Sequence, residues 1–183
     1  MPTDTPSRYA ILGLLSQGPL SGYALRQRFG ESLANFWRLS FGQIYPLLHQ
    51  MEGEGLVEAL DVPDAPRGQR AYRLTERGTQ ALAEWLAEPP AFEQTRSELL
   101  LKLAFAPSAP PGALQGHLRD FAARQRARVE QLAGIEATLR ASHEPNAPDA
   151  ADPWLLTLDY GITKARALAD WADRAARALD ASA

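Results

Sequence analysis

Residues 40–57, SFGQIYPLLHQMEGEGLV, combine a strong helical pattern with a proline in its middle, and this limits the possible folds more than any other stretch. Ser40 and Gln43 have capping-box spacing, in which a glutamine three residues into the helix reaches back to the cap. Ile44, Leu47, Leu48 and Met51 fall on one face, and Gly53 and Gly55 end the run. Pro46 deletes the hydrogen bond to the Gly42 carbonyl and presses its ring on that position, costing up to about 3 kcal/mol in an ordinary helix interior. A glycine at 42 is expected to ease the conflict. Such a helix belongs where its outer side, with Gln43, Tyr45, Pro46, His49 and Gln50, meets water or a groove rather than a core.

The flanking segments give it a context. Ser7 is expected to cap a first helix to about Gln17, stopped by Gly18-Pro19. Ser21 opens a second helix, GYALRQRFGESLAN, with Tyr23, Leu25, Phe29 and Leu33 at near-helical spacing. After the third helix, Leu56 to Val62 alternates apolar and polar residues, and Arg70 to Leu74 is a second strand-like run. Between them PDAPRGQ is rich in turn formers, so the pair reads as a β-hairpin with an arginine-bearing tip. Thr75 starts a fourth helix, closed by Pro89-Pro90.

The composition then shifts. Residues 95–105 read as a short apolar helix, 107–111 as a linker, and 112–142 as one long helix rich in alanine, arginine and leucine. EPNAPDAADP breaks it, and a last helix runs from about Trp154 to Leu179. Leu114, Leu118, Phe121, Leu132, Ile135 and Leu139 form a seam on the first long helix, interrupted by Gln125 and Arg128. Leu155, Leu158, Ile162, Ala165, Ala169, Ala172, Ala176 and Leu179 form one on the last. A helical hairpin with two apolar seams needs a third partner, from the same chain or from a second copy; a second copy is the favoured expectation. The division expected is 1–90 and 91–183, with a fold that is mainly α plus a small β-hairpin.

Chemistry is constrained by what is missing. There is no cysteine among the 183 residues, which removes disulfides, thiolate nucleophiles and cysteine-based zinc sites. His49, His117 and His143 have no metal-ligand spacing. No phosphate loop, H-E-x-x-H, G-x-S-x-G or dinucleotide fingerprint is present, so neither an enzyme nor a cofactor is expected. The apolar run Tyr9 to Leu15 is too short to span a bilayer, and MPTDTPS lacks the basic start of a secretory signal, so a cytoplasmic protein without membrane contact is expected. The formal net charge of −3 gives no support to nucleic-acid binding by itself. All but two of the basic residues, Lys102 and Lys164, are arginine, which suits bidentate phosphate contacts.

Three short helices followed by a hairpin form a winged helix-turn-helix pattern, in which the third helix enters the DNA major groove and the wing reaches the flanking backbone. The runs YAILGLLSQGPLSGYALRQRF, SFGQIYPLLHQMEGEGLVEA and RAYRLTERGTQAL resemble the PadR family of bacterial transcriptional regulators. Residues 40–56 match its Ser-x-x-x-(Ile/Leu)-Tyr-Pro-x-Leu-x-x-(Leu/Met)-Glu-x-(Glu/Asp)-Gly-Leu pattern, and Tyr72 to Gly78 its wing exit. The resemblance covers residues 8–88, and the two long helices resemble those of the subgroup with a larger C-terminal domain.

That resemblance implies a homodimeric repressor on an inverted-repeat DNA operator, paired through its C-terminal helices and released by a small aromatic or hydrophobic effector. It implies DNA-facing roles for Ser40, Gln43, Tyr45 and Pro46 at the start of the third helix. Tyr23 falls in the phosphate-contacting segment, and Arg67 and Arg70 on the basic wing. His49 lies further along the same outer face. The second half of the third helix departs from many members, with Leu48-His49-Gln50 where a Lys or Arg is common. The competing reading is a winged-helix adaptor that binds proteins and does not read DNA. The acidic balance leans towards the adaptor, and the set Ser40, Gln43 and Tyr45 leans towards DNA.

Overall fold

A computed structural model of the chain describes residues 5–33, 36–37, 39–61, 70–91, 96–142 and 152–181. They divide into two compact units, Met1–Phe92 and Glu93–Ala183.

In the first unit, helix α1 spans Thr5–Leu15, strand β1 Leu20–Ser21, α2 Gly22–Arg28 and α3 Phe41–Gly53. Strands β2 (Val57–Asp61) and β3 (Arg70–Leu74) and helix α4 (Glu76–Ala87) follow. The strands form one antiparallel sheet in the order β1-β3-β2, with Leu20 opposite Tyr72 and Ala59 opposite Tyr72 on the other side. The expected two-stranded hairpin is therefore a three-stranded sheet. β1 is only two residues long and has no local signature; it exists because β3 offers an edge to pair with.

The core of this unit gathers Ile11, Leu12, Leu25, Ile44, Leu48 and Met51, each with no exposed surface. The apolar period of residues 44–51 thus marks the buried face of α3. Two expectations about the early helices are corrected. Helix α1 begins before Ser7, which is fully buried within it and accepts a hydrogen bond from the Trp37 indole Nε1 at 3.0 Å. The second helix does not run on as α-helix: a π-helical turn, Phe29–Leu33, takes over from α2. Its wider turn leaves both Phe29 and Leu33 buried. On the opposite side of α1, the Tyr9 ring stacks on Trp85 of α4 with centroids 4.6 Å apart.

Two junctions hold α3 and the wing. Gly55, at φ 71°, ends α3 in a Schellman arrangement: the Leu56 N–H donates to the Met51 carbonyl, and the Gly55 N–H to that of Glu52. Thr75 then ties the wing exit back to this point. Its hydroxyl donates to the Gly55 carbonyl at 2.7 Å and accepts from the Gly78 N–H at 3.0 Å, capping α4. A Cβ on Gly78 would lie 2.0 Å from the Leu56 carbonyl oxygen, a contact no side chain tolerates. The Leu-Thr-x-x-Gly run at 74–78 is therefore a device for crossing α4 over the start of β2.

In the second unit, α5 spans Glu98–Ala104, a 3₁₀ turn Ala106–Ser108, α6 Ala113–Ser142 and α7 Pro153–Ala181. Ser97 caps α5 through the Leu100 N–H, and Asp152 with Pro153 opens α7. The two long helices pack antiparallel, seam against seam. One cluster joins Leu118 and Ala122 to Ala172 and Ala176, and another joins Leu132 to Leu158 and Ile162. Ion pairs Arg119–Asp180 and Arg126–Asp173, seven residues apart on each helix, flank this packing at the same register. At the first cluster the third element is α5, whose Leu99 and Leu103 pack on it. At the second cluster Ile135, Leu139 and Leu155 stay only partly buried. Leu100 and Leu101 of α5, Phe105 just after it, and Leu156 and Tyr160 of α7 remain exposed.

Candidate nucleic-acid interface

Helix α3 presents its first half outward because its other side is fixed in the core. Ser40 has extended backbone geometry, and its N–H donates to the Gln43 Oε1 at 2.9 Å. The Ser40 hydroxyl donates to the same oxygen at 2.7 Å. This is the capping interaction that the S-x-x-Q spacing predicts, and it has a chemical consequence. A bidentate glutamine–adenine pair uses both the oxygen and the NH₂ group. With Oε1 held at the cap, Gln43 offers its NH₂ outward as a donor and reads a base in two-point fashion only by giving up the cap.

Pro46 is exposed and α3 continues through it to Gly53. A Cβ built on Gly42 meets no atom within 4 Å, so the proline does not demand a glycine there. The proline ring acts on the Gly42 carbonyl, and the side-chain direction at 42 points elsewhere. What Pro46 leaves is a carbonyl without its helical donor in the exposed first turns of α3, which water or a ligand donor can satisfy.

The second half of α3 is differently engaged. The Gln50 amide donates to Glu54 at 2.8 Å, and Glu54 also receives Arg8 from α1. The His49 Nδ1 lies 3.7 Å from the Glu52 carboxylate, with its side chain two-thirds exposed. This end of the helix is acidic, and its polar groups have partners within the protein. The outward polar chemistry is concentrated between Ser40 and Pro46.

Tyr45 is 41% exposed, and its ring lies over Gly22, the first residue of α2. Ser21 caps α2 by accepting from the Ala24 N–H at 3.1 Å, and Tyr23 next to Gly22 is 56% exposed. Arg70, exposed, begins β3 opposite Asp61. Arg67 lies outside the described residues. Two positions on β3 from Arg70, Tyr72 is 3% exposed, and its hydroxyl is held above the ordinary tyrosine pKa. Burial is the main cause, reinforced by the Glu52 carboxylate and opposed by the Arg70 guanidinium, with a further upward push from Tyr45. The structure therefore brings Ser40, Gln43, Tyr45 and Pro46 onto one surface beside Tyr23 at the start of α2. Sequence reasoning did not place Gly22 and Tyr72, which support that surface from beneath, among the site residues.

The Transcriptional regulator PadR-like family matches residues 11–84, and the family Virulence activator alpha C-term matches residues 95–180. The negative transcriptional regulator PadR of Bacillus subtilis (strain 168) is 33% identical over 155 residues, 82% of this chain and 85% of its own length. The structure of B. subtilis PadR in complex with operator DNA superposes with a TM-score of 0.84 at 29% identity, covering 97% of this chain and 99% of that one. The same protein in complex with p-coumaric acid gives 0.78 at 30% identity, covering 94% of each. This chain belongs to the PadR-like family of transcriptional regulators.

Proposed function

We propose that the protein is a homodimeric repressor that binds an inverted-repeat operator through α3 and leaves it when a small aromatic or hydrophobic effector binds. The observation that carries this reading is the surface of α3 from Ser40 to Pro46, capped, polar and outward while Ile44, Leu48 and Met51 anchor the helix from behind. In this reading Tyr45 and Tyr23 donate to phosphate oxygens, Gln43 and Ser40 sit over base edges at the groove, and Pro46 presents a compact apolar surface to them. His49 lies at the margin of the contact, and Arg70 with Arg67 engages the flanking backbone from the wing. The function lies in the cytoplasm, where the DNA is.

The repressor and effector parts draw on relatives: B. subtilis PadR is named as a negative regulator and has been solved with p-coumaric acid. Within the second unit, an apolar hollow of about 460 Å³ between α5 and α6 is lined by Leu101, Phe105, Leu114 and His117. Its volume and lining suit a small aromatic acid. Among the described residues no helix is long and apolar enough to cross a membrane, and no group of His, Asp and Glu is placed to hold a metal ion.

The test is fluorescence anisotropy with the DNA upstream of this protein's own gene against a scrambled duplex, at two salt concentrations. Specific binding that weakens with salt is expected, and on Tyr45→Phe about a five-fold loss of affinity per subunit, roughly 25-fold for a dimer that loses the hydrogen bond twice. Equal, feeble binding to both duplexes would move the protein-binding adaptor to first place.

A further inference from the structure

The chemistry at the start of α3 depends on a residue of another helix. Gly22 is buried, and a Cβ there would fall 2.7 Å from both Cε1 and Cζ of Tyr45 and 2.9 Å from its hydroxyl. All three atoms belong to the outer end of one side chain. The atoms nearest to that Cβ position are thus those of the Tyr45 phenol.

The position of Gly22 adds to this. Ser21, just before it, pairs with Ala71 of β3, and Leu20 pairs with Tyr72. Gly22 is therefore the point where the wing's sheet passes into α2, and Tyr45 brings α3 to the same point. The Gly22 backbone has no positive φ, so nothing in its own conformation calls for glycine. Alanine is the better helix former at a helical position. The absence of a side chain is explained by Tyr45 and not by the backbone.

We infer that Gly22 is a positioning residue for DNA binding: its bare Cα forms the seat that holds the Tyr45 hydroxyl at the surface of α3. The inference rests on the DNA-binding role of Tyr45 proposed above. A methyl group at 22 moves a flexible ring and not a backbone atom, so the protein folds while the phenol shifts.

Three measurements on the full chain decide it. In NMR spectra the Gly22 α-protons carry a ring-current shift that Tyr45→Leu removes; an unchanged shift would show that the seat does not exist. Gly22→Ala lowers operator affinity as much as Tyr45→Phe does, about five-fold per subunit, with a melting temperature at or above that of the parent. In the background of Tyr45→Ala, the substitution Gly22→Ala has no further effect on affinity, because the group it displaces is gone. Unaltered affinity in Gly22→Ala, or losses that add in the double variant, would overturn the inference while leaving the DNA-binding reading intact. Absence of operator binding by the parent protein itself would bring down that reading, and this inference with it.

Discussion

Tyr72 shows how a single side chain can matter twice. Its ring is buried at the base of the wing, paired in register with Leu20 on one side and Ala59 on the other. Its hydroxyl titrates above the ordinary value of 10.0 because burial and Glu52 disfavour the phenolate. When the chain unfolds, this tyrosine returns to the ordinary value. Below about pH 10 both states hold the proton, and the contribution to stability is fully present. As pH rises towards the folded value, the unfolded state loses its proton first, and stability falls. Urea denaturation across pH 8 to 11 should show Tyr72→Phe with a shallower decline at the alkaline end than the parent. Parallel curves would mean that Tyr72 ionises alike in both states. The sequence marked Tyr72 only as the start of the wing exit and gave no sign of its burial, since its surroundings come from β1, α3 and β3 together. The same holds for Ser7, which reads as a cap by local rules and is instead buried under an indole 30 residues away.

At the scale of elements, the sequence was most legible where local chemistry decides the outcome. Ser21, Ser40 and Thr75 all start helices in the structure, because a cap needs only its own next three residues. It was least legible where identical residues are sorted by a distant neighbour. Ala122 and Ala123 are adjacent on α6; the first has no exposed surface, against Ala172 and Ala176 of α7, and the second is exposed. The leucine-based seam read from the sequence passes over Ala122, although α7 approaches α6 there. Ala122→Leu forces extra carbons into that contact and should destabilise the second unit by about 1–3 kcal/mol. Ala123→Leu should stay within about 0.5 kcal/mol of the parent, as surface changes do. Chemical denaturation of both variants checks the contrast; equal effects would mean that the two helices do not meet at this register.

For the whole molecule, the question left by the fold is how many copies face the DNA. The apolar seams of α6 and α7 pack on each other but leave Ile135, Leu139 and Leu155 partly buried, and these, with the outward residues of α5 and α7, are where a second subunit is to be sought. The salt dependence of binding counts subunits directly. Each phosphate neutralised on duplex DNA contributes about 0.9 to the slope of log affinity against log salt. A two-fold dimer repeats every contact, so removing one arginine from the sequence removes it twice from the complex. Arg70 is exposed at the entrance to β3 and is the described wing residue proposed to touch the backbone. If two subunits bind one operator, Arg70→Ala should lower the slope by about twice 0.9; if one subunit binds, by about 0.9. No change in slope would take Arg70 off the DNA altogether. The result is independent of the base sequence, because a phosphate contact weakens specific and scrambled duplexes alike. It also ties the wing to the proposed two-fold operator, whose half-sites would then lie about 34 Å apart or at a multiple of that distance.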